Sequence, residues 1–72
     1  MKPETLSKIG ALLYGEAQWK TDLGAQLGVT RRTMYRWSNG VTRIPESVEG
    51  ELLAMLHERA RDIERLARLL NG

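Results

Sequence analysis

Residues 19–40 read WKTDLGAQLGVTRRTMYRWSNG. Leu23, Leu27, Val29, Met34 and Trp37 stand where two short helices need apolar side chains to pack across a tight turn. Gly28 breaks the first segment, since glycine is the residue that most easily takes a left-handed conformation. Thr30 is a good N-cap for the second segment, and Asn39-Gly40 is a strong C-terminal signal. Asn-Gly also marks hairpin turns, but neither flank alternates as a strand would. At about 100° per residue, Thr30, Thr33, Met34 and Trp37 cluster on one side of the second helix. Arg31, Arg32, Tyr35, Arg36 and Asn39 fall opposite them, within an arc of about 140°.

That outer arc has no acid on it. An ordinary surface helix mixes signs, whereas an all-positive face suits approach to a phosphate backbone. Arginine offers a two-pronged fork to guanine in the major groove, and asparagine can read adenine or bind phosphate. A helical hairpin built for packing alone accounts for the apolar residues and glycines equally well. It does not account for the arginines.

The rest of the chain is helical on either side of this unit. Pro3 suits a first turn and Glu4 complements the helix dipole there. Leu6, Ile9 and Leu13, joined by Leu12, form an apolar stripe that Gly15 closes. Gly10 fits that helix if a neighbour packs closely against it, and Gly24 leaves room where the central helices cross. A link through Val41 to Pro45 leads to a final helix over 46–70. Gly50 costs that helix about 1 kcal/mol relative to alanine, so its first turn reads as a separate piece. The expected fold is all-α: a compact four-helix single domain, 1–72, with a helix-turn-helix and a long C-terminal helix.

Seventy-two residues give a marginal core, burying about 60% of the unfolded surface. With no cysteine and one histidine, His57, a disulfide is impossible, and neither a metal site nor any other cofactor is expected. Good helix packing or a partner chain must supply stability instead. No secretory signal or membrane span is visible, so a cytoplasmic protein is expected. Net charge is +2, unevenly spread. Residues 1–43 carry seven Lys/Arg against three acids, and residues 44–72 carry four against six. Between Val29 and Ile44 there are four arginines and no acid.

The final helix is about 37 Å long at 1.5 Å per residue, more than the central unit can cover. Val48, Leu52, Met55 and Leu56 can complete the local core. Ile63, Leu66, Ala67 and Leu70 continue the stripe beyond it. Either the helix folds back after His57 over helix one, or a second chain covers it. The expected dimer interface is Leu52, Leu56, Ile63, Leu66 and Leu70.

The central segment resembles the helix-turn-helix of phage repressors, Cro proteins and the bacterial XRE-type regulators, the lambda-repressor-like group. The wider pattern, LYG with Trp19 four residues on, LGVTRRT, RW and Ile44-Pro45, is similar to small phage-associated regulators of that kind. Gly24 stands where the family more often has alanine, and Trp19 where a capping Ser or Thr is usual. The resemblance covers about residues 6 to 56. It implies base contacts from Arg31, Arg32 and Arg36, with Tyr35 at the margin. It implies phosphate contacts from Lys20, Asn39, Arg43 and Thr30, the last also a cap.

Two functions of different classes follow. One is a dimeric, sequence-specific regulator of transcription that binds double-stranded DNA. The other is a protein-interaction module, an adaptor or antitoxin-like protein gripping a partner through the C-terminal helix. An enzyme is not expected. There is no cysteine nucleophile, no His-acid-serine constellation around His57 and no phosphate-cradling loop, so no catalytic residue is assigned. No small-molecule ligand is evident either.

Overall fold

Punctuation in the sequence becomes four helices in the computed structural model, which describes residues 1–72. They are α1 (Pro3–Tyr14), α2 (Trp19–Leu27), α3 (Arg31–Ser38) and α4 (Glu46–Asn71). Pro3 opens α1, and the Ser7 hydroxyl donates back to the Pro3 carbonyl at 3.2 Å. Gln18 precedes α2 and makes no side-chain cap, so the helix begins at Trp19 without the usual hydroxyl.

α2 and α3 end in the same way. Gly28 turns left-handed at φ 71°, with Val29 N–H donating to the Gly24 carbonyl (3.0 Å) and Gly28 N–H to Ala25 (3.3 Å). Gly40 repeats this at φ 70°, with Val41 N–H to Arg36 (2.9 Å) and Gly40 N–H to Trp37 (3.3 Å). Both are Schellman turns, which satisfy carbonyls that a helix end otherwise orphans.

One core joins the four helices: Leu6 from α1, Trp19 and Leu23 from α2, Met34 and Trp37 from α3, Ile44 from the link, and Val48 and Leu52 from α4. Gly10 is buried because the Trp19 ring occupies the space where its side chain would be. Gly24 differs from the expectation. A methyl group there would meet Val29 O at 3.5 Å, an ordinary contact, so alanine fits as well. Leu12 points away from the stripe and is exposed.

α4 departs from its expected form at both ends. It runs unbroken through Gly50, because Val48 and Leu52 on either side are locked into the core. It also does not fold back: from His57 onward every residue is exposed, and the molecule measures 47 × 24 × 20 Å. The last tie to the lobe is Arg59, whose guanidinium donates to the Leu13 carbonyl at the end of α1 (2.8 Å). Leu52, expected at an interface between chains, is only 1% exposed and belongs to the core of its own chain.

Two glycine substitutions should move stability in opposite directions. Gly10→Ala overpacks Trp19 and should cost about 1–3 kcal/mol. Gly50→Ala, with open space around it, should gain about 0.5–1 kcal/mol. Urea unfolding midpoints report both, and equal midpoints would contradict the packing described.

Candidate nucleic-acid interface

The core fixes which way α3 faces. Met34 and Trp37 are buried and Thr33 is half-buried, so the helix is anchored along one side. Arg31, Arg32 and Asn39 are exposed on the other, and Tyr35 is 60% exposed there as well. Arg36, at the edge of the arc, is half-buried.

None of these cations is paired within the molecule. The ion pairs are the N-terminus with Glu49, Arg65 with Asp62, and Arg68 with Glu64. Arg31, Arg32, Arg36, Arg43 and Lys20 therefore keep their charge free for an external anion. A local rule is also broken here. α1, α2 and α4 each carry an acid in the first turn, where it complements the positive end of the helix. α3 has no acid there and opens with Arg31-Arg32. That placement is mildly unfavourable to folding and makes the helix start more attractive to an anion.

Thr30 and Asn39 close the two ends of α3. The Thr30 hydroxyl oxygen accepts from Thr33 N–H (3.1 Å), while its proton goes to the Thr33 hydroxyl (3.0 Å). Thr30 thus caps the start of α3. The Asn39 amide donates to the Tyr35 carbonyl at 3.0 Å, so it too serves the helix end before any ligand. Lys20 lies at the exposed start of α2 with its ammonium 5.7 Å from the Trp19 ring centre, within cation–π range. Arg43 is exposed in the link, one residue before Ile44, which pins that link into the core.

Beyond the expected residues, Val41 projects from the turn after α3 and is exposed. Its position just past Asn39-Gly40 is the one sequence signal for it. The Arg59–Leu13 bond, spanning 46 positions, has no local signal at all.

No family model, curated protein or solved structure matches this chain, so a functional reading rests on the residues themselves. No helix is long and apolar enough to cross a membrane.

Thr30→Ala should lower stability by about 1 kcal/mol, and Thr30→Asp should hold it near the parent value, since aspartate caps equally well. Chemical denaturation distinguishes them. A Thr30→Ala protein as stable as the parent would remove the capping role.

Proposed function

We propose that the chain is a sequence-specific DNA-binding regulator of transcription, a repressor acting as a dimer on an inverted repeat. In this reading it is a relative of the phage-repressor and XRE-type regulators, working in the cytoplasm of a bacterium or encoded by a phage. α3 enters the major groove, where Arg31, Arg32 and Arg36 read base edges and Tyr35 touches the margin. Lys20, Arg43 and the second amide N–H of Asn39 set the register against phosphates. The observation that carries the reading is the outer face of α3: arginine-rich, acid-free, unpaired, and held outward by Met34 and Trp37.

Gel retardation with DNA from upstream of the protein's own gene tests it. Arg31→Ala, Arg32→Ala or Arg36→Ala should each cost about 1–3 kcal/mol on the preferred site and relax its sequence preference. Lys20→Ala should weaken all sequences alike. Affinity should fall with salt at a log–log slope near −0.9 per phosphate contacted. Arginine variants that bind with parental affinity would overturn the site assignment.

A second reading has its own observation. The exposed aliphatic side chains Ile63, Leu66 and Leu70 lie on one face of α4, which suits a protein-interaction module gripping a different protein. A homodimer that buries this face counts against it.

A further inference from the structure

Between Trp19 and Leu52 every large apolar side chain packs on the core except Tyr35 and Val41. Both belong to α3 or to the turn that ends it, among Arg31, Arg32, Arg36 and Arg43. Tyr35 sits within the arginine arc. Val41, 66% exposed, is the one with no part in the interface so far.

A comparison within the molecule makes that exposure informative. The turns after α2 and α3 share one geometry, a left-handed glycine followed by a valine. An apolar residue at the valine's position commonly packs back on its helix. Val29 does so, lying against Gly24 and joining the core. Val41 has the same backbone bonds and yet faces outward. It is not loosely held. Its N–H donates to the Arg36 carbonyl (2.9 Å), and Ile44, three residues on, is buried. A side chain on Gly40 would meet Pro3 of α1 at 3.5 Å, so the turn rests on the lobe. Valine has a single stiff torsion, so its methyls keep a fixed bearing beside the last turn of α3.

We infer that Val41 reads the 5-methyl group of a thymine at the edge of the site, which rests on the DNA-binding reading. Charge selects the occupant. An apolar protein surface covering Val41 would bury the arginines beside it without an anion. The major groove supplies both needs: phosphates for the arginines, and the thymine methyl as the one apolar group its base edges present. Val41 has no polar side-chain atom, so it cannot read a donor or an acceptor. Of the four bases only thymine offers it a contact. The preferred half-site then holds guanines for the arginine forks and a thymine where the end of α3 lies.

Selection from random duplexes with the parent protein supplies a preferred site without knowledge of the operator. Each thymine in it is then replaced singly by deoxyuridine, which removes only the methyl. At one position the replacement should weaken parent binding about fourfold, the worth of one buried carbon. Val41→Ala should lose a similar factor on the thymine duplex and bind the thymine and uracil forms alike at that position. Because Val41 is exposed, this variant should keep the parental urea midpoint. Its salt dependence should match the parent too, since no phosphate contact is removed. A Val41→Ala protein that keeps the parent's preference for thymine at every position would overturn the inference. An equal loss on thymine and uracil duplexes would overturn it as well, by showing a contact to sugar. Both outcomes leave the DNA reading standing. A parent that selects no sequence removes the DNA reading and this inference together.

Discussion

The Trp19 ring lying in the space left by Gly10 is the contact on which the rest of the molecule depends. It sets how closely α2 approaches α1. α2 then offers Leu23 to Met34, which fixes α3. A buried aromatic removes about 150–250 Å² from water, an upper bound of about 4–6 kcal/mol. Domains of this kind are stable by about 5–15 kcal/mol in total, so one ring carries a large share. The same ring has a second use. Its outward side lies near the Lys20 ammonium, so the residue that closes the core also steadies a cation at the start of α2.

From that contact the direction of the arginine face follows without further adjustment. α3 is only eight residues long, too short to be stable alone. It is held by Met34 and Trp37 beneath, Thr30 at one end and the Gly40 turn at the other. A helix fixed at both ends cannot roll, so its outer side chains keep one bearing relative to the core. Against this stands the cost of Arg31 and Arg32 at the positive end of the dipole, a few tenths to 1 kcal/mol each. A small domain has little stability to spare. The local rule is broken once, on the helix best held by the core.

How much of this was legible in the sequence depended on how local each cause is. The limits of α2 and α3 were, because Gly28, Thr30 and Asn39-Gly40 act within one turn. Gly10 was read as a close approach, but only the structure identifies Trp19 as what approaches. Leu12 was misplaced because an apolar residue at the edge of a stripe falls on either side with a small rotation. The break at Gly50 was misread because propensity, about 1 kcal/mol, loses to a helix anchored at Val48 and Leu52. The capping of Thr33 by Thr30 was legible, whereas the Asn39 amide bond to the Tyr35 carbonyl was not, because any residue's carbonyl can accept it. Arg59 was invisible as a contact because its partner is the Leu13 carbonyl, and a backbone oxygen leaves no mark on a sequence.

The far half of α4 is held by different forces from the rest. It has no core beneath it, and its two ion pairs are exposed and weak. What keeps it helical is composition, with Arg, Leu, Ala and Glu all strong helix formers, and growth from a turn already fixed by Leu52. Its apolar face is therefore formed before anything covers it, which lowers the ordering cost of association. An exposed aliphatic stripe is otherwise a liability in a chain with so small a core. Asp62 pairs with Arg65 and Glu64 with Arg68 along the helix itself, so these charges are matched within the chain rather than held for the stripe.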